Sequence, residues 1–317
     1  MPPAVDRLSV EDLRELFEFL RGKDYRWEPL TPDDLLKQRR ASESYSAIHQ
    51  AFGLGLPPQR ASLEAEGLSS TLLDSLLRLP RLPAISRLAQ TFVIHDFWPP
   101  LAGQEKNHAH FGPESLRLSK SARERIERGG PALKVLDLGC SSGGLLLQWL
   151  EYQPQASLVG LDISNSAIEL AKTAALAQRI SDERARLITA KIDASTRLPE
   201  AQDADLVLFN PPMVQPEPGV AWPHRDGGHL GIELPLLFLK FARLHLKEQG
   251  QVLCLITNPV VHGRGLFWDE LKKLQEWKIL DRRLFNPFFN QATARKRHHE
   301  DDHIQQIELW GLHLIRN

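Results

Sequence analysis

Three acidic residues, one turn of small residues and one Asn-Pro-Pro motif are the groups in this 317-residue sequence whose types and spacing could do chemistry. The run Asp137-Leu138-Gly139-Cys140-Ser141-Ser142-Gly143-Gly144 closes the apolar segment KVLDL and precedes the helical pattern LLLQWLEY. Small residues at a strand-to-helix turn let a ligand approach the backbone, and a helix N-terminus offers free N–H groups to an anion such as a carboxylate. The glycines do not follow the dinucleotide fingerprint, because Gly-x-Gly-x-x-Gly would need Gly at 141, where Ser stands. A tight turn that binds nothing is the competing reading. Asp162 ends the next β-type run, where a carboxylate can accept both hydroxyls of a ribose. Asp193 follows the third such run, where it could meet an adenine amino group. Each alone would serve as a helix-capping Asp; on three successive strand ends the acids describe one adenosine-shaped slot.

The fourth β-type run, ADLVLF, ends in Asn210-Pro211-Pro212-Met213. Two consecutive prolines stiffen the backbone past the strand, so the Asn210 side-chain oxygen and the Pro211 carbonyl can be held as adjacent acceptors. Two acceptors aimed at one point suit a planar NH2 group. A stiffened loop without a catalytic role is the alternative, and the motif's position beside the proposed slot argues against it.

These residues need a sheet to hold them at one edge, and the sequence supplies its pattern. From about 133 onward short β-type runs (ALKVLDLG, ASLVGLDI, ARLITAKI, ADLVLFN, QVLCLITN) alternate with helical stretches such as 164–179 and 234–247. That alternation implies a parallel sheet with right-handed crossovers and helices on both faces. The last two runs, WKILDRRLF and IQQIELWGLHLI, lack an intervening helix and predict an antiparallel hairpin at one edge. Residues 1 to about 110 read as helical without strand pairs. Ser9 and Asp12 form a capping box before Val10, Leu13, Leu16, Phe17 and Leu20 at helical spacing. Thr31-Pro32-Asp33-Asp34 starts a second helix expected to run toward Gly53, and a third is expected over 68–79. The breaker-rich stretch 80–112 reads as the connection between domains.

Composition narrows the function classes. With 39 Lys and Arg against 40 Asp and Glu, the net charge of −1 argues against a protein that coats nucleic acid by bulk charge. Two cysteines, each inside an apolar run, exclude a disulfide framework and a cysteine zinc site. No run of about 18 uncharged apolar residues and no secretory-type leader is present, so a soluble, cytoplasmic protein with no membrane partner is expected.

The region from about Phe111 to the end resembles the class I S-adenosylmethionine-dependent methyltransferases, and within them the amino-methylating group whose fourth strand ends in Asn-Pro-Pro followed by an aromatic. The resemblance implies an α/β, Rossmann-like fold with a seven-stranded sheet and an antiparallel last strand, and S-adenosyl-L-methionine as cofactor. It implies Gly139, Ser141 and Gly143 under the methionine part of the cofactor and Asp137 near its amino group. Asp162, with Ile163 beside it, would take the ribose, and Asp193 the adenine edge. Phe-Gly-Pro-Glu-Ser-Leu at 111–116 is similar to a segment that closes over the cofactor, which adds Phe111 and Ser115, and Asn210 would border both cofactor and acceptor. The order of motifs through Arg225-Asp226-Gly227-Gly228-His229-Leu230-Gly231 is similar to the protein-glutamine N5-methyltransferases of peptide-release factors. Met213 stands where those enzymes have an aromatic, and the longer N-terminal region matches no motif of theirs.

The reading is therefore a helical substrate-recognition domain over 1–111 and a catalytic domain over 112–317 that methylates an amide or amino nitrogen. A protein glutamine leads, on a translation factor or ribosomal protein. A base amino group in structured RNA follows, then a small molecule, which Met213 would suit; a methyltransferase-fold binding protein without turnover is the reading from another class. Asn210, Pro211, Pro212 and Met213 are the expected catalytic motif, with His224, Asp226 and His229 in the following loop as candidate substrate contacts. No metal is expected: His95, His108 and His110 lack a third ligand fixed by spacing and read as ordinary hydrogen-bonding histidines. Arg295-Lys296-Arg297-His298-His299 is followed at once by Glu300, Asp301 and Asp302 and reads as a solvated loop. Phe97-Trp98-Pro99-Pro100 reads as a pin between domains.

Overall fold

The computed structural model describes residues 8–97, 109–129, 133–215, 226–285 and 303–317. The chain divides into two compact units, one of 1–113, 141–151 and 164–187, the other of 114–140, 152–163 and 188–317.

The first unit begins with α1 (Val10–Gly22), capped as its sequence predicts: Ser9 Oγ accepts from Asp12 N at 3.0 Å and the Asp12 carboxylate accepts from Ser9 N at 3.0 Å. Its Leu13, Leu16, Phe17 and Leu20 are buried. Helix α2 (Pro32–Arg40) has Thr31 as N-cap and Pro at its start, but it stops at Arg40 instead of running toward Gly53. The Ser42-Glu43-Ser44 stretch gives the chain a local alternative, with the Ser44 hydroxyl donating to the Ala41 carbonyl at 2.8 Å. Helical turns at Ser42–Ser44 and His49–Gly53 follow, then α3 (Arg60–Glu66) and α4 (Ser70–Arg78).

The expectation of a strand-free N-terminal region fails at β1 (Ala84–Leu88) and β2 (Thr91–His95), an antiparallel hairpin inside the stretch read as a connection. Both strands are buried almost throughout, so neither shows the alternation that marks a half-exposed strand. The turn carries no Gly or Asn; Ala89 itself takes the left-handed conformation, φ 51°. The hairpin's edge is closed by a side chain: Gln178 Oε1 accepts from Phe92 N at 2.8 Å and its Nε2 donates to Phe92 O at 3.0 Å. Phe92 stacks on Phe17 with centroids 4.9 Å apart, and α7 (Asn165–Ala177) adds Ala174 and Ala177 to the same core. Phe92→Ala would cost about 3–5 kcal/mol and unseat the hairpin from α1.

The sheet has the strand order β5 (Ala185–Thr189), β4 (Ser157–Asp162), β3 (Lys134–Leu138), β6 (Ala204–Phe209), β7 (Leu246–Val261), β10 (Ile304–Arg316), β9 (Trp277–Leu284), with the two-residue β8 (Arg264–Gly265) paired to β7. Strands β4, β3, β6 and β7 are parallel, whereas β10 is antiparallel to both of its neighbours, the reversed last strand that the sequence predicts. The segment joining β9 to β10 lies outside the described residues. In the second unit α5 (Pro113–Gly129), α8 (Glu233–His245) and α9 (Leu266–Lys273) accompany the sheet, and Leu136, Val207, Phe209, Leu239, Phe241 and Ile256 anchor its core. Parallel strands buried on both faces must be nearly continuous apolar runs, and ADLVLF and QVLCLI are. Both cysteines, Cys140 and Cys254, are buried and neither forms a disulfide. Among the described residues no helix is long and apolar enough to cross a membrane.

Candidate functional site

Register lines up the ends of the three central strands. Leu138 pairs with Leu161 on one side and with Phe209 on the other, so Gly139, Asp162 and Asn210 follow at one level. With β3 between them, Asp162 and Asn210 stand two strand spacings apart, roughly 10 Å along the sheet edge. Gly139 N and Cys140 N both donate to Leu161 O, at 2.8 and 3.0 Å, which folds the chain sharply off β3. The turn then continues through left-handed backbone at Gly139 (φ 72°), Ser141 (φ 52°) and Gly143 (φ 76°).

On the β3–β4 side the chemistry is acidic. Asp137 is buried at 2% exposure, and desolvation, reinforced by the nearby Asp162 carboxylate, pushes its pKa up to about 8. The Cys140 thiol is raised by its burial and by the same two acids, which keeps it protonated and unreactive. Asp162 is half-buried, and Ile163 is 62% exposed. Asp193 is exposed and already engaged: its carboxylate accepts from the backbone N–H groups of Ser195 and Thr196 and from both hydroxyls, which lowers its pKa strongly. Those bonds fix the loop after β5 and leave part of one carboxylate oxygen to meet anything else.

On the β6 side the chemistry is neutral. Asn210 Nδ2 donates to Ser115 Oγ at 3.2 Å, Ser115 being buried in the first turn of α5. Asn210 Oδ1 is buried with no hydrogen-bond partner among the described residues. Pro211 is buried; Pro212 and Met213 are half-buried. The motif is pressed from outside by the loop at 227–231. A Cβ on Gly227 would lie 2.6 Å from Pro212 O, and one on Gly231 (φ 71°) would collide with Met213 O. Gly227 N donates to Val214 O at 2.8 Å, Leu230 N to Gln215 Oε1 at 3.0 Å, and Thr257 Oγ1 to Met213 O at 3.3 Å. Sequence reasoning missed the positions of Thr257, Gln215 and these glycines against the motif, because no local pattern encodes contacts made across tens of residues. Asp226 and His229 are exposed, and His224 lies outside the described residues.

Phe111, Ser141 and Gly143 belong to the first unit. Phe111 is buried with its ring 5.8 Å from that of His95, and a Cβ on Gly144 would come within 3.0 Å of it. His95 is held neutral, its pKa depressed to about 4 by burial. Its Nε2 meets Ser86 Oγ at 2.9 Å and its Nδ1 meets Asp96 O at 2.9 Å, so both ring nitrogens are spent on structure. Among the described residues no three His, Cys, Asp or Glu gather closely enough for a metal. His108, Trp98, Pro99, Pro100 and the basic run at 295–299 with its following acids lie outside the described residues.

Residues 130–282 match a family model described as a methyltransferase domain. The chain is 30% identical over 143 residues to a ribosomal protein uL3 glutamine methyltransferase of Xanthomonas campestris pv. campestris, across 42% of this chain and 45% of that protein. It is 33% identical over 147 residues to a ribosomal RNA large subunit methyltransferase G of Shewanella putrefaciens, across 45% of this chain and 34% of the relative. The chain thus spans less than half the length of these curated relatives. A solved methyltransferase from Thiobacillus denitrificans in complex with S-adenosyl-L-homocysteine is 14% identical, covering 68% of this chain and 95% of the other at a TM-score of 0.41.

The residues of the β3–β4 edge fit S-adenosylmethionine, which is cationic at its sulfonium and its ammonium. A buried carboxyl whose ionised form is disfavoured by burial and by a second acid is stabilised when a cation arrives. Residues 130–282, which hold the turn after β3 and most of the parallel sheet, are thus similar to a methyltransferase domain.

Proposed function

We propose that the protein methylates a planar amide or amino nitrogen, with a glutamine side chain of a ribosomal or translation protein as its acceptor. The observation that carries this reading is Asn210 Oδ1, a buried acceptor with no partner among the described residues at the end of β6. A buried, unpaired oxygen costs about 1–3 kcal/mol, which an arriving N–H relieves. Pro211, locked in φ and buried beside it, would present the second acceptor. The similarity to a protein named for uL3 glutamine methylation supports an amide acceptor.

When bound, S-adenosylmethionine supplies an electrophilic methyl group on sulfonium. Asp137 would pair with the cofactor's ammonium and Asp162 with its ribose hydroxyls. Gly139, Ser141 and Gly143 would leave backbone room for the methionine part, with Phe111, Ile163 and Asp193 at its margins. Asn210 and Pro211 accept the two N–H bonds of the substrate nitrogen, which turns its lone pair toward the methyl and raises its electron density during attack. Positioning provides most of the acceleration in such a site, and no separate general base is required. The proton shed by the methylated nitrogen passes to water.

Tritiated S-adenosylmethionine supplied with the protein to a lysate of cells lacking it tests the reading. Label removed by protease and recovered in one methylated glutamine is the expected outcome. Label removed by ribonuclease would replace the amide with a base amino group, the reading that the similarity to an enzyme named for ribosomal RNA favours. Failure to bind S-adenosylhomocysteine would remove the cofactor site itself.

A further inference from the structure

An Asn side chain is nearly symmetric in outline, and a half-turn about Cβ–Cγ exchanges an acceptor for two donors. The proposed chemistry, on which this inference rests, works in one orientation only: Oδ1 must face the substrate N–H, since Nδ2 there would set donor against donor. Asn210 follows β6 immediately, which fixes its Cβ, and its neighbour Pro211 offers no N–H. In that orientation Nδ2 points away from the substrate and has to be held by a group of its own. That group is Ser115 Oγ, 3.2 Å away and 95 residues earlier in sequence. Ser115 is 5% exposed and sits in the first turn of α5, so its hydroxyl is both rigidly placed and shielded from competing water.

We infer that Ser115 is a positioning residue that locks the Asn210 amide with Oδ1 toward the acceptor nitrogen, and that it serves the acceptor side of the site instead of contacting the cofactor. A hydroxyl suits that role, because it receives the amide N–H without introducing a charge beside a reaction that consumes one. The assignment also accounts for the pairing seen at Asn210, in which Nδ2 is satisfied and Oδ1 is buried without a partner among the described residues.

The test uses the full chain and three variants, Ser115→Ala, Ser115→Thr and Asn210→Ala, with S-adenosylhomocysteine as binding probe and label transfer into lysate as activity. A lost neutral hydrogen bond sets the scale of about a tenfold fall in transfer rate for Ser115→Ala at saturating cofactor. The S-adenosylhomocysteine Kd should stay within twofold, and Ser115→Thr should restore the rate. In nitrogen-15 spectra the side-chain NH2 pair that Asn210→Ala removes should be slowly exchanging in the parent, averaged or shifted in Ser115→Ala, and recovered in Ser115→Thr. A raised S-adenosylhomocysteine Kd with the NH2 pair unchanged would overturn the inference and return Ser115 to the cofactor. An unchanged rate in Ser115→Ala while Asn210→Ala abolishes transfer would overturn it and leave the proposed function standing. An unchanged rate in Asn210→Ala would take both down. Should Ser115→Ala fold poorly, Ser115→Cys keeps the volume, weakens the acceptor and predicts the same signs.

Discussion

Neighbouring strand ends of one sheet are built on opposite electrostatic principles. In the last residues of β3 and β4 stand two carboxyls, one so poorly solvated that its pKa rises to about 8. Beyond β6 stands a neutral amide, held by a hydroxyl and flanked by prolines and closely packed glycines. The acidic edge is costly until a cation arrives, whereas the amide edge is already organised and lacks a partner for one oxygen among the described residues. On the proposed function, a group that must be attracted and a group that must be aimed call for these two designs: charge acts over distance and tolerates approximate geometry, while a hydrogen bond to a neutral nitrogen demands direction.

The sharpest way to break this contrast is to swap what each edge loses. Asn210→Ala removes aim without touching charge. A fall in transfer of about 10²–10³-fold is expected, the scale set by losing one preorganised hydrogen-bonding group at a reacting centre, with S-adenosylhomocysteine affinity kept within about twofold. Equal loss of both, measured by label transfer and calorimetry, would mean that Asn210 belongs to the cofactor edge. Asp137→Asn is the converse. It should weaken S-adenosylhomocysteine binding by about 10–100-fold, the range of one charge-assisted bond, while turnover at saturating cofactor changes less.

Acidity sharpens the contrast further. Since the folded-state pKa of Asp137 is raised to about 8 from 3.8, the folded cofactor-free protein keeps a proton that the unfolded chain releases. Stability therefore falls as pH climbs from about 4 to about 8 and is flat above, and Asp137→Asn removes that slope, gaining a few kcal/mol at pH 8 without cofactor. Binding a cation favours the ionised form, so affinity for S-adenosylhomocysteine should rise up to tenfold per pH unit below 8 and level off above it. A flat affinity profile between pH 6 and 8.5 would show that Asp137 does not meet the ammonium.

The sequence shows these two edges unequally. The sheet, its crossover helices, the reversed last strand and the capped starts of α1 and α2 are written in local pattern: apolar runs of strand length, Ser9 with Asp12, Thr31 before Pro32. The places of Asp137, Asp162 and Asn210 at strand ends are legible the same way, because a parallel strand's C-terminal end is a fixed place once the strand is known. What local pattern omits is what turns out to be paired. Asp193 reads as a ligand contact, and no local pattern shows that its carboxylate also caps Ser195 and Thr196. The hairpin β1–β2 is hidden because both faces are buried and its turn uses Ala89 where Gly or Asn would announce it. Gln178 completing that hairpin through its side chain, and Ser115 holding Asn210, join residues 86 and 95 positions apart, and nothing in a single sequence links them.

The smallest perturbation asks how the neutral edge keeps its shape. Thr257, 1% exposed on β7, donates its hydroxyl to Met213 O across 3.3 Å, a long bond that belongs at the weak end of the usual range. The same motif is held by Gly227 N on Val214 O and by the close approach of Gly231, so the Thr257 bond is one restraint among several. Thr257→Val keeps the volume and deletes the hydroxyl. It should raise the acceptor KM about two- to fivefold, leave S-adenosylhomocysteine affinity unchanged and lower stability by about 1 kcal/mol, with Thr257→Ser recovering the loss. Should Thr257→Val match Asn210→Ala in severity, the motif would hang on a single bond. The neutral edge would then be no more preorganised than the acidic one, and the contrast between the two would rest on charge alone.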